Sequence, residues 1–195
     1  MSLLLLGQPA PSFSAKAVIK DTIISDFCLE SFLGKYVVLF FYPLDFTFVC
    51  PTELHAFQEY LPKFQERGVE IIGCSVDSPY THLAWLQSPK TKGGIEGITY
   101  PLVSDLNKSI AKKYYVLDEK EGIAYRGLFI IDPKGIVRHV QINDLPIGRS
   151  MEETLRTIDA ILFHAEHGEV CPAGWQKGKK SMQPTAEGLE SFFGH

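Results

Sequence analysis

Cys50 is the residue in this chain best placed to do chemistry. It stands in the stretch Pro43-Leu44-Asp45-Phe46-Thr47-Phe48-Val49-Cys50-Pro51-Thr52-Glu53, after an apolar run from Tyr36 to Tyr42 and before a segment of helical periodicity. The sequence therefore predicts a thiol where a strand hands over to a helix. A thiol reacts as its thiolate, and free cysteine holds only a few per cent of that form at neutral pH. The first turn of a helix favours negative charge, because its N–H groups lack intrahelical partners and the dipole is positive there. Thr47, three residues earlier, can bring a hydroxyl to the sulfur or to a bound substrate oxygen. Pro43 and Pro51 stiffen the chain on both sides. A small buried apolar cysteine is the plain alternative, and the surrounding pattern speaks against it.

The other cysteines are Cys28, Cys74 and Cys171. No two of the four form a C-x-x-C pair, so neither a zinc site nor a thioredoxin-type dithiol motif has local support. Cys50-Pro51-Thr52-Glu53 also lacks the second cysteine that a disulfide oxidoreductase needs. Cys28 and Cys74 lie in or near apolar segments and read as packing residues. Cys171 lies in a stretch rich in glycine, proline and lysine, and nothing in its spacing shows that it meets Cys50. His164 and His167 fall near a helix end, where imidazoles suit the dipole, and they are not expected to bind metal.

The chain of 195 residues is long enough for one domain with a sizeable core, or a domain plus an arm. Its hydrophobic content of 45% and charged content of 22% are those of a soluble globular protein. A net charge of -4 disfavours nucleic acid as the main partner. The leucines of Met1 to Gly7 lack a charged flank and end too early at Gly7-Gln8-Pro9 for a signal peptide. With no apolar run of membrane-spanning length, the expected location is the cytoplasm.

Several elements must position Cys50. Residues 10–27 read as a small N-terminal hairpin. Val37 to Tyr42 is too uniformly apolar for a half-exposed strand, so a sheet covered on both faces is expected. Leu54, Phe57, Leu61 and Phe64 make one face of a helix that begins near Pro51 and closes at Gly68, with a bend expected near Gln58 to Pro62. Val69 to Val76 reads as the next buried strand, Ser78 to Leu86 as a short helix, and Leu106 to Tyr115 as another. Asp132-Pro133-Lys134-Gly135 is turn chemistry between two antiparallel strands, 124–131 and 136–142. Ser150-Met151-Glu152-Glu153 is a capping box that opens a helix ended by Gly168. The expected organisation is α/β: a sandwich around a central mixed β-sheet with helices on both faces, residues 1–168, followed by a C-terminal arm, 169–195.

Pro43-x-x-x-Thr47-x-x-Cys50 is similar to the active-site signature of the peroxiredoxins. The resemblance extends along the chain, through His82-Leu83-Ala84-Trp85, Arg126-Gly127-Leu128-Phe129-Ile130-Ile131-Asp132, Asp144-Leu145-Pro146-Ile147-Gly148-Arg149-Ser150 and Glu169-Val170-Cys171-Pro172-Ala173-Gly174-Trp175. These segments resemble the typical two-cysteine subgroup. That subgroup has a thioredoxin-like fold and reduces hydrogen peroxide and organic hydroperoxides with thiol electrons, using no cofactor and no metal.

The resemblance implies a role for each matching residue. Cys50 is the peroxidatic cysteine, which becomes a sulfenic acid. Thr47 hydrogen-bonds the thiolate and the peroxide, and Pro43 shields the site. Arg126 stabilises the thiolate and the charge developing on the leaving oxygen. Glu53 and Arg149 form a supporting pair that orients Arg126, although a glutamate in a first helical turn has a sufficient explanation in the dipole alone. Cys171 is the resolving cysteine of a neighbouring subunit. Bridged Cα atoms come within about 7 Å, so the first turn around Cys50 and the Cys171 arm are both expected to unwind locally during the cycle. The implied partners are a hydroperoxide, thioredoxin or another dithiol reductant, and further copies of the chain as a homodimer and a ring of five dimers. A non-enzymatic redox sensor or holdase chaperone built on the same thiol is the alternative. The family's Gly-Gly-Leu-Gly loop reads Gly93-Gly94-Ile95-Glu96 here, and its C-terminal Tyr-Phe pair reads Phe192-Phe193. Glu96 adopts positive φ less easily than glycine, so the two elements are expected to lock less well.

Overall fold

A computed structural model of the chain describes residues 5–194. Part of the leucine-rich start, residues 1–4, lies outside the described residues. The chain divides into two compact units, one ending at Arg149 and the other beginning at Ser150.

The first unit opens with β1 (Ser14–Ile19) and β2 (Thr22–Cys28), the expected antiparallel hairpin. Strand β3 (Tyr36–Phe41) leads to helix α1 (Val49–Gln65), and β4 (Val69–Ser75) leads to α2 (Pro79–Leu86). Then come β5 (Leu102–Ser104), α3 (Ser109–Lys113), a two-residue pair β6 (Leu117–Asp118) and β7 (Ile123–Ala124), and the hairpin of β8 (Arg126–Ile131) and β9 (Val137–Asn143). Seven strands form one mixed sheet in the order β2-β1-β5-β4-β3-β8-β9. Strand β3 pairs parallel with β4 and antiparallel with β8, so it lies inside the sheet. Its apolar run is explained by cover on both faces. Phe40 stacks on Phe57 of α1 with ring centroids 4.1 Å apart. On the other face Phe41 meets Tyr114, at the end of α3, at 5.3 Å. Gly73 of β4 leaves the room this packing needs, because a Cβ there would lie 2.9 Å from the Phe40 ring.

Helix α1 runs on through Pro62. The proline is exposed and the Gln58 whose carbonyl it frees is half-buried, so solvent can reach the lost bond. Gly68, at φ +67°, ends the segment as expected. The helix expected over 106–115 is shorter, because Asp105 takes the N–H groups of Ile110 at 2.9 Å and Ala111 at 2.7 Å. Lys108 sits just before the helix at φ +62°, which excludes residues 106–108 from it. The Asp132 turn closes as predicted. Its Oδ1 accepts from the N–H groups of Lys134 and Ile136, each at 2.9 Å, and its Oδ2 accepts from Arg138 Nε at 2.7 Å.

The second unit consists of α4 (Met151–His167), α5 (Ala186–Phe193) and the segment between them. Ser150 Oγ accepts from the Glu153 N–H at 3.1 Å, and Gly168 ends α4 at φ +70°. The segment after Gly168 turns back on itself, with a bridge between Val170 and Met182. Its anchor is Trp175, which the sequence offered only as the last residue of a family-like segment. Trp175 is buried, lies 4.8 Å from the Phe163 ring of α4, and donates from Nε1 to the Lys179 carbonyl at 3.0 Å. Leu189 and Phe193 of α5 are exposed.

Candidate active site

Cys50 is the second residue of α1 and is fully buried. The loop from Pro43 to Phe48 delivers it, and Phe46 takes a left-handed φ of +54° there. Phe48 precedes the helix with helical backbone angles and no side-chain cap, so the first-turn N–H groups have no side-chain acceptor at the capping position. Pro51, at the third helical position, has no N–H to leave unpaired. Pro43 is buried on the loop. Thr47 is half-buried, and its hydroxyl donates to the Leu44 carbonyl at 2.9 Å. With that donor committed, the Thr47 oxygen is left as an acceptor.

Glu53 lies one turn after Cys50 and is buried. It is the fifth residue of α1, beyond the first turn, so the dipole explanation available from sequence does not account for it. Two arginines do. Arg126, the first residue of β8, donates from Nη1 to Glu53 Oε2 at 2.7 Å. Arg149 grips the same carboxylate with a fork, Nε to Oε1 at 2.7 Å and Nη2 to Oε2 at 2.9 Å, and its backbone N–H adds a bond to Oε1 at 2.9 Å. Other guanidinium donors reach backbone carbonyls. Arg149 Nη1 reaches Phe41 at 2.8 Å and Gly127 at 2.6 Å, and Arg126 Nε reaches Leu145 at 2.6 Å. Arg126 Nη1 also lies 3.5 Å from Cys50 Sγ.

Two buried guanidiniums and one carboxylate leave a net positive charge beside the sulfur, and a thiolate at Cys50 would balance it. The structure thus brings together Cys50, Glu53, Arg126 and Arg149, with Thr47 and Pro43 on the loop leading in. Cys171 belongs to the second unit, is half-buried, and places Sγ 3.6 Å from the Ala160 carbonyl of α4. All four cysteines are free thiols. Cys74 is buried in β4, where desolvation pushes its thiol well above the ordinary range.

Sequence reasoning missed a second buried network on the same loop. Asp45 Oδ2 lies 2.8 Å from His82 Nδ1, and Asp45 Oδ1 accepts from the Tyr42 hydroxyl at 2.9 Å. The Asp45 N–H donates to Asp77 Oδ2 at 2.9 Å. Burial pushes the Asp45 carboxyl up, and the bond to His82 pulls it back. Burial, with Asp45 beside it, also raises Tyr42 well above its usual range. An aspartate two residues after Pro43 and a histidine on an otherwise apolar helix were the available signals.

The Gly93 loop braces this region. His55 Nε2 lies 3.0 Å from the Gly94 carbonyl, and Trp85 Nε1 donates to the Gly93 carbonyl at 2.8 Å. Positive φ falls on Gly93 and Gly97, while Glu96 keeps ordinary backbone and donates to the Ser88 carbonyl at 3.2 Å. Glu96 therefore does not need the positive φ that glycine allows.

Comparison with known proteins decides the family. The AhpC/TSA family model matches residues 6–140, and the model of the C-terminal domain of 1-Cys peroxiredoxin matches residues 160–195. The chain belongs to the peroxiredoxins. It is 54% identical over 188 residues to peroxiredoxin-1 of Gallus gallus, covering 96% of this chain and 94% of the relative. It is 51% identical over 187 residues to the thioredoxin peroxidase of Echinococcus granulosus, covering 96% of each. The solved structure of reduced Plasmodium vivax 2-Cys peroxiredoxin matches with a TM-score of 0.95 at 50% identity, over 98% of this chain and 100% of that one. The fold of this peroxiredoxin is accordingly thioredoxin-like. With the family comes its activity, the reduction of peroxides.

Proposed function

We propose that this peroxiredoxin reduces hydrogen peroxide and organic hydroperoxides through Cys50, with Cys171 of a neighbouring subunit as the resolving thiol. The observation that carries the reading is Arg126 Nη1 at 3.5 Å from Cys50 Sγ, held by the buried Glu53–Arg149 pair. The Cys50 thiolate attacks one peroxide oxygen. The S–O bond forms as the O–O bond breaks, and the second oxygen leaves as hydroxide or alkoxide and takes up a proton. Arg126 stabilises charge on the sulfur before the attack and on the leaving oxygen during it. Thr47 accepts a hydrogen bond from the peroxide, consistent with its own proton being committed to Leu44. Pro43 keeps water from the reacting atoms. Glu53 and Arg149 hold Arg126 in place.

The resulting sulfenic acid condenses with Cys171 to an intersubunit disulfide, and thioredoxin or another dithiol restores both thiols by exchange. Cys50 is fully buried, so it must leave its pocket to be bridged. The missing side-chain cap at Phe48 favours unwinding of that first turn. The segment 169–195 acts as the arm that carries Cys171. The chain works in the cytoplasm as a homodimer and in a ring of five dimers; β9 is the end strand of the sheet, and past Val137, which bonds Gly7 and Gln8, its outer edge is where a second copy would pair. Among the described residues no helix is long and apolar enough to cross a membrane.

Stopped-flow peroxide consumption with a thioredoxin recycling system tests the reading. Cys50→Ser should abolish consumption. Cys171→Ser should permit a single turnover and then stop, with the Cys50–Cys171 band missing from non-reducing gels. Sustained turnover by Cys50→Ser would refute the assignment. One oxidation of the unsubstituted protein with no recycling by any dithiol would favour a sensor instead.

A further inference from the structure

Cys171 has an ordered setting within the second unit. It opens a turn in which the Trp175 N–H donates to the Pro172 carbonyl at 3.0 Å. Its Sγ lies 3.6 Å from the carbonyl of Ala160, and Arg156 stands one helical turn earlier on the same face of α4. Arg156 Nη1 donates to the Trp175 carbonyl at 3.0 Å. Glu153 fixes the guanidinium with a fork, Nε to Oε2 and Nη2 to Oε1, each at 2.7 Å. A single side chain of α4 therefore ties down the turn that carries the thiol and sets a positive charge near it. Burial pushes the Cys171 thiol up, the Arg156 charge pulls it back, and Glu169 pushes it further up. The Glu169 carboxylate is itself taken by the Ser181 hydroxyl and by Gln183 Nε2.

We propose that Arg156 is a positioning residue for the second half of the cycle: it fixes the Cys171 turn and supplies the charge that lets Cys171 attack as a thiolate. The inference rests on the reading of Cys171 as the resolving thiol. In this step the Cys171 thiolate attacks the sulfenic sulfur of Cys50. The S–S bond forms as the S–O bond breaks, and the departing hydroxide takes up the proton that Cys171 released, giving water. The oxidant is the peroxide that made the sulfenic acid, and no further reactant is needed. Peroxide attack at Cys50 does not involve Arg156.

The test uses the reduced full-length protein mixed with an equimolar amount of hydrogen peroxide. Disulfide formation is read from acid-quenched samples on non-reducing gels, from neutral to mildly alkaline pH. Arg156→Met should slow formation of the Cys50–Cys171 disulfide roughly three- to tenfold at neutral pH. The gap should close as pH rises, because the thiol then ionises without help. Arg156→Lys keeps the charge and should recover part of the rate, while peroxide consumption in the first turnover stays unchanged in both. A slowing equal at every pH, with no gain from lysine, would overturn the electrostatic role; so would no slowing at all. If the unsubstituted protein forms no Cys171 disulfide, the underlying reading fails and the inference falls with it. If that disulfide forms normally and Arg156→Met matches the parent, the inference alone fails.

Discussion

Glu53 is the residue on which the site's electrostatics turn. Its carboxylate serves two guanidiniums, and the side chains of Glu53, Arg126 and Arg149 are only 2%, 4% and 0% exposed. A surface ion pair contributes little, but removing one member of a buried pair strands the other and costs about 3–5 kcal/mol. Glu53→Gln keeps the size of the side chain and deletes its charge, so two buried cations lose the carboxylate they share. Chemical denaturation should show a loss in that range. The rate with peroxide should fall as well, because Arg126 loses the partner that holds it beside Cys50. A loss under about 1 kcal/mol would mean that Glu53 behaves as an exposed pair does. These partners show how little of the site is local in sequence. The strand, the handover and the helix around Cys50 were legible from periodicity and proline placement. Arg126 and Arg149 lie 76 and 96 positions from their partners Cys50 and Glu53, and only the family resemblance placed them there. Asp45 and His82, 37 positions apart, had nothing to link them before folding.

At the scale of elements, α1 is held on both sides. Phe57 packs it on the sheet, and the Gly93–Gly97 loop braces it through His55. Two glycines of that loop are required for different reasons. At Gly94 a Cβ would sit 1.9 Å from the Ser88 carbonyl oxygen, a backbone atom that cannot swing aside. At Gly97, φ is +92° and nothing lies within 4 Å of the Cβ position, so only backbone strain opposes a side chain. Gly94→Ala should therefore cost roughly 1–3 kcal/mol by overpacking, and more than Gly97→Ala, which should cost about 1 kcal/mol. Urea denaturation of the two variants compares them directly. Equal losses would mean that the loop shifts freely and does not brace α1. The glycines of this loop are plain in the sequence, but the steric reason at Gly94 depends on the fold. The same holds for α3, whose apolar spacing suggested a longer helix than Asp105 and Lys108 permit.

At the scale of the molecule, the sheet ends in two edge strands, β2 and β9. An open edge carries unpaired N–H and C=O groups and invites another strand unless charge or cover prevents it. Strand β9 is seven residues long and ends in Gln141-Ile142-Asn143, with Ile142 exposed to 49%. An exposed isoleucine on a long edge suits pairing with a second copy of the same strand, which a two-fold axis makes self-complementary. Charge at such an edge works against pairing. Ile142→Lys should therefore shift the protein toward monomer in sedimentation equilibrium, while the buried residues of β8 and β9 keep each protomer folded. Recycling should fall in step with the dimer fraction, because the proposed Cys50–Cys171 disulfide joins two chains. The first turnover should be spared, since Cys50, Thr47, Glu53, Arg126 and Arg149 all lie within one unit of one chain. A variant that remains dimeric, or one that becomes monomeric yet still recycles at the full rate, would show that β9 is not the contact on which resolution depends.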